Sequence, residues 1–160
     1  MKSNLVRALI AAPLLYSGAA NASHLDLSYQ ANDQTQGGRV EGGYSLFNPN
    51  IGPFNSDIYA NFGVGILANN DFENEYKFPV TLGLGTAASL NNIGLFGEVK
   101  YAPTGHLFPD QGHGLITELG LNLPEIPRTD ISPYISYSWA NGENIEELSN
   151  SIHLGVRLQD

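Results

Sequence analysis

Asn92-Ile93-Gly94-Leu95-Phe96-Gly97-Glu98-Val99-Lys100-Tyr101-Ala102 is the stretch on which the fold turns. Ile93, Leu95, Val99 and Tyr101 occupy one phase of a two-residue repeat; Gly94, Phe96, Glu98 and Lys100 occupy the other. Successive side chains of a strand point to opposite faces. The run therefore reads as a strand with one uncharged apolar face and one face that mixes glycine with charge. It also reaches the ~9–11 residues that a tilted strand needs to cross a bilayer.

The same period recurs on both sides of this stretch, bounded by Gly, Asn, Pro and Asp clusters, with no competing helical period. Eight strands are expected, at about 24–30, 38–48, 56–68, 76–86, 92–102, 113–122, 130–140 and 150–159. Leu25, Leu27 and Tyr29, then Ile58, Phe62, Val64 and Ile66, and finally Ile152, Leu154, Val156 and Leu158 typify the apolar face, which carries no charge. The opposite face is small and polar, as at Gly43, Asn61, Gly83, Gly120 and Ser136. Set among these are Asp26, Arg39, Glu41, Lys77, Glu98, Lys100, Glu118, His153 and Arg157. Tyr59, Phe96 and Tyr134 are large exceptions on the small face. Pro79 and Pro133 fall inside strands, where each removes a ladder donor, and bulges near a rim are expected to accommodate them.

Two barrels use such a pattern. A soluble, lipocalin-like periplasmic binding barrel turns the apolar face inward and leaves Gly, Ser and Asn in water. A membrane barrel turns the apolar face to lipid and packs the small polar face inside. Soluble strands decorate their wet face with Lys, Glu, Arg and Thr, which are sparse here. Only 14% of residues are charged, against about a quarter in soluble domains. The expectation is an all-β, eight-stranded antiparallel up-and-down transmembrane barrel.

Export fits that expectation. Lys2 and Arg7, the apolar stretch Ala8 to Leu15, and Ala20-Asn21-Ala22 form a tripartite signal peptide over 1–22, with the barrel domain over 23–160. Cysteine is absent, so disulfides and thiolate metal sites are excluded. Without Lys2 and Arg7 the formal charge of −9 becomes −11, which argues against nucleic acid as a partner. With both termini at the inner end, the connections 31–37, 69–75, 103–112 and 141–149 lie outside and exceed the inner 49–55, 87–91 and 123–129. Tyr29, Tyr76, Tyr101, Tyr137 and Trp139 then form an outer girdle on the apolar face, where aromatic rings favour a membrane interface.

These features together resemble the small outer-membrane barrels of the OmpA/OmpX class of Gram-negative cells. Leu95-Phe96-Gly97-Glu98-Val99-Lys100-Tyr101-Ala102-Pro103, followed by Gly112 to Asn122, is similar to the YfaZ-type outer-membrane proteins. The resemblance implies a porin-like membrane protein held in outer-membrane lipid and lipopolysaccharide. It also implies delivery by the export and barrel-assembly machinery. Such families usually close on a terminal Phe, whereas Leu158-Gln159-Asp160 stands here, which bears on assembly more than on fold.

Chemistry is sought among the lumen charges Asp26, Glu41, Glu98, Lys100, Glu118 and Arg157. Glu98 and Lys100 face Glu118 across neighbouring strands, and closure brings Arg157 to Asp26. Buried charges must pair, so the plain reading is a braced, plugged lumen; a partner-exchanging gate for water or small ions is the sharper one. Three histidines, His106, His113 and His153, show no ligand spacing. His106 and His113 read as solvated, and His153 as part of the lumen network. The His-x-Ser-Asn run of outer-membrane lipid A deacylases is missing, because Leu154 and Gly155 follow His153. His106 and Asp110 with a loop serine offer a loose imitation of the acyltransferase set. Asp71, Glu73, Glu75, Glu143, Glu146 and Glu147 are outer-loop acids able to meet divalent cations, or simply a solvated surface. The expected protein is a monomeric structural or interaction barrel with no catalytic, cofactor or metal residues assigned. A lipid A-modifying enzyme and the soluble binding barrel are the alternatives.

Overall fold

A computed structural model describes residues 24–70, 76–103, 112–143, 145 and 148–159. The expected signal segment 1–22, His106, Asp110, and the loop acids Asp71, Glu73, Glu75, Glu146 and Glu147 lie outside the described residues. The chain is all-β. Its long strands are β1 (His24–Ala31), β2 (Thr35–Phe47), β4 (Phe54–Asn69), β6 (Val80–Leu90), β7 (Ile93–Ala102), β8 (His113–Asn122), β9 (Ile131–Glu143) and β10 (Ser151–Gln159). Two-residue segments β3 (Asn50–Ile51) and β5 (Tyr76–Lys77) add to β4.

Each long strand pairs antiparallel with the next, and β10 returns to β1, so eight strands close into a barrel. Closure gives every long strand two neighbours, which removes the edge that an open sheet must protect. No helix among the described residues is long and apolar enough to cross a membrane, which says nothing of strands. One end of the barrel carries residues 32–34, 70, 103, 112, 145 and 148–150, and is called the loop end below. The other carries the turns 48–53, 91–92 and 123–130, and is called the turn end. Asn91-Asn92, with φ of 51° and 67°, is a two-residue turn joining Leu90 to its partner Ile93. Two positive φ values make the two-residue hairpin turn whose twist matches the strands, and asparagine tolerates them.

The prolines are accommodated differently from the expected bulges. β5 and β6 run in one register on β4, with Leu67 opposite Lys77 and Val64 opposite Val80. They are one strand whose ladder lapses at Phe78-Pro79, and the Gly65 N–H still donates to the Pro79 carbonyl at 2.9 Å. Pro133 pairs with Val156, and its carbonyl accepts from the Leu123 N–H at 2.8 Å, beyond the end of β8. Its missing donor thus falls at the rim, where a ladder bond is least needed. The register shift among the described strands lies at neither proline but between Ser45 and Phe47, at the turn end.

The apolar face points outward and the polar face inward. Leu95 is 66% exposed and Leu84 59%, while Glu98, Lys100, Glu118 and Arg157 are buried. The three large residues of the small face have a common geometry. Phe96 sits opposite Gly120, Tyr59 opposite Gly85, and Tyr134 opposite Gly155 across adjacent strands. A Cβ on Gly120 would lie 2.2 Å from the Phe96 ring, and one on Gly85 would lie 2.4 Å from the Tyr59 ring. Each ring therefore lies flat over its own cross-strand glycine, and a narrow lumen is filled without overpacking. At the loop end, Leu67, Ala102, Ile116, Ile145 and Leu148 form an apolar cap over the polar interior.

Candidate functional site

Below the cap, Lys100 stands at the centre of a charged cluster. Its Nζ lies 2.8 Å from Glu41 Oε2 and 2.8 Å from Glu118 Oε2, and it also pairs with Glu98. The ladder sets this arrangement, because Glu98 is directly opposite Glu118 on β8 and Lys100 follows two residues on, on the same face. Arg39 enters from β2 and donates from Nη2 to Glu118 Oε2 at 2.8 Å. Ser136 donates its hydroxyl to the other Glu118 oxygen.

Nearer the turn end, Arg157 holds Asp26 through two bonds, Nε to Oδ1 at 2.7 Å and Nη2 to Oδ2 at 2.6 Å. Its guanidinium carbon stands 4.7 Å from the centre of the Phe96 ring and 5.8 Å from that of Tyr134. The Tyr59 hydroxyl donates to Glu98 Oε1 at 2.6 Å and links the two clusters. Three cations thus meet four carboxylates in one buried network. In a low-dielectric interior such charges persist only because each is paired and hydrogen-bonded.

All six residues expected in the lumen network, Asp26, Glu41, Glu98, Lys100, Glu118 and Arg157, are in it. Sequence reasoning placed Arg39 on the right face but left it out of the network, since only closure between β2 and distant β8 brings it to Glu118. It also missed Ile145 and Leu148, two apolar residues in an acidic loop that fold back into the mouth; their isolation among acids was the available signal. The girdle residues Tyr29, Tyr76, Tyr101, Tyr137 and Trp139 all point outward in the loop-end half. The Tyr137 hydroxyl donates to Asn150 Oδ1 at 2.8 Å, so the ring is apolar on one side and polar at its tip. Tyr44, Phe47 and Phe54 are outward aromatics at the turn end that the sequence reading did not group.

Three groupings of side chains invite chemistry. Ser138 Oγ and His153 Nε2 are 2.9 Å apart, the distance of a nucleophile and its base. Both are buried beneath Leu148, and His153 Nδ1 has no acid to orient it. The pair therefore braces β9 to β10 within the polar network. His113 is 4.0 Å from Glu143 at the loop-end rim and half-exposed, where an ion pair contributes little. His24, Asp26 and Glu98 offer ligand atoms within 4.8 Å of one another. The Arg157 guanidinium already occupies both Asp26 oxygens and lies 3.7 Å from Glu98, so a metal ion there would have to displace a buried cation.

The fold and interior define an eight-stranded antiparallel barrel with a charged lumen, an outward apolar face and a cap at one end. Compared with known proteins, the chain matches no family model and no curated protein.

Proposed function

We propose that this chain is a small integral outer-membrane barrel of the OmpA/OmpX class, with its outward face in lipid and a structural or interaction role rather than a catalytic one. The observation that carries the reading is the direction of the two faces. Leu82, Leu84, Leu95, Leu119, Ile135 and Leu154 all point outward, while the paired charges are enclosed. A soluble monomer rarely leaves a continuous apolar surface beyond a few hundred Å² in water. A soluble binding barrel would turn these side chains inward around its ligand, and the interior here holds ion pairs instead. Aromatics at both ends of the apolar band, Tyr29 and Trp139 at one and Tyr44 and Phe47 at the other, suit two membrane interfaces.

In this reading the lumen network braces the barrel, and export, assembly by the barrel machinery and contact with lipopolysaccharide follow from the location. Fractionation of expressing cells tests it, with gel migration of the purified protein before and after boiling. The expected result is recovery in the outer membrane with a compact band that shifts on heating. Recovery in the soluble periplasm without detergent would sink the proposal.

A further inference from the structure

The interior holds one acid more than its cations neutralise. Asp26, Glu41, Glu98 and Glu118 are enclosed with Arg39, Lys100 and Arg157, so among the described residues four carboxylates meet three cations. The barrel domain has two further Lys or Arg residues, and both stand at its ends. Lys77 is opposite the cap residue Leu67, and Arg128 is exposed in the turn 123–130. An unmatched charge in a low-dielectric interior is costly, and a titratable group in that position takes its neutral form instead.

The contacts single out one acid. Asp26 is held at both oxygens by Arg157. Glu118 accepts from Arg39, Lys100 and the Ser136 hydroxyl. Glu98 has the Lys100 ammonium at one oxygen and accepts the Tyr59 hydroxyl at the other. Glu41 meets cations at Oε2 alone, Lys100 at 2.8 Å and Arg39 Nε at 3.7 Å, the second too long for a hydrogen bond. Its Oε1 is buried with no hydrogen-bond partner. Directly opposite Glu41 on β1 stands another acid, Asp26, and like charges so placed repel. Directly opposite on β4 stands Gly63, which brings no side-chain donor. The two lumen histidines are placed elsewhere, His24 edge-on to the Tyr59 ring and His153 at Ser138.

Solvent does not relieve the excess. At the turn end a polar-walled cavity of about 340 Å³ opens as far as Arg157, and at the loop end the cap leaves about 10 Å³ beside His153. Glu41 lines neither space and is 1% exposed. A proton, unlike a hydrated ion, needs no room there.

We propose that the folded lumen binds one proton at neutral pH, on Glu41, leaving three carboxylates balanced by three cations. The unfolded chain, with glutamate in water, releases that proton at about pH 4.3. The folded state therefore binds more protons above that pH, and its stability falls as pH rises until Glu41 ionises. Ionisation sets a fourth negative charge opposite Asp26, so the brace loosens in alkali. The inference concerns the interior alone and goes beyond the membrane assignment.

Infrared spectroscopy of the folded protein in neutral buffer tests it, alongside urea midpoints of Glu41→Gln and Glu118→Gln. The carbonyl stretch of a protonated carboxyl is expected in the parent and absent from Glu41→Gln. Gln keeps the shape of a neutral Glu, so Glu41→Gln should match the parent's midpoint at neutral pH and exceed it in alkaline buffer. Glu118→Gln, which strips an ionised partner from Arg39 and Lys100, should lower the midpoint at both. Absence of the band from the parent overturns the proposal whether or not either variant folds. So does a band that persists in folded Glu41→Gln, or a midpoint in Glu41→Gln that falls as far as in Glu118→Gln.

Discussion

Arg157 and Asp26 lie on the last and first strands, directly opposite each other in the ladder, and their two parallel bonds of 2.7 and 2.6 Å cross the seam where the barrel closes. Two residues 131 positions apart in the chain thus supply a planar, two-point contact, a geometry that guanidinium and carboxylate fit without adjustment. The pair is fully enclosed, so its loss is asymmetric.

Replacing Arg157 with Met leaves Asp26 buried without its partner and is expected to cost about 3–5 kcal/mol. The double replacement Asp26→Leu with Arg157→Met should recover most of that loss, since both charges go together. Urea midpoints of refolded protein measure both. Equal stability of the parent and the Arg157 variant would refute the closure role.

Gly120 and Phe96 are predicted to be coupled. Gly120→Ala drives a methyl into the Phe96 ring, and such overpacking typically costs about 1–3 kcal/mol. With Phe96→Ala in the same chain the clash disappears, and the double variant should be more stable than the summed single losses by about 1 kcal/mol or more. Additive losses would mean that the ring does not rest on the glycine.

The outward face can be read by charge. Leu84→Arg, near the middle of the apolar band, is expected to destabilise a barrel in bilayer by about 2–4 kcal/mol, and Leu46→Arg, near the turn-end rim, by about 0–1. Refolding titrations into lipid vesicles give both values. If the two substitutions cost the same few tenths, the face is wet and the barrel is not in lipid.

The capped lumen predicts no current. Reconstituted in planar bilayers, both the parent and Glu118→Ala should be silent, because Ile116, Ile145 and Leu148 close the loop end independently of the ion pairs. Discrete channel openings that appear in Glu118→Ala alone would restore the gate reading of the charge network.

Much of this was legible in the sequence. The inward and outward sets follow from a two-residue period, and a face that carries Glu98 and Lys100 between glycines identifies itself. Strand positions followed equally well where apolar alternation met Gly, Asn or Asp punctuation, and less well at 76–86, where Pro79 interrupts the ladder without moving the register. The pairing of Glu98 and Lys100 with Glu118 was legible too, because β7 and β8 are consecutive and a hairpin fixes their register.

The chain by itself therefore determined the strands, their faces and their neighbour-to-neighbour charge pairs, since all of these depend on local alternation and short connections. Only the tertiary structure decided that Arg39 reaches Glu118, that Ile145 and Leu148 seal one end, and that the other end remains an open polar cup. Those contacts cross the lumen between residues far apart in sequence, and their partners are chosen by the curvature and register of the closed barrel, which no single strand encodes.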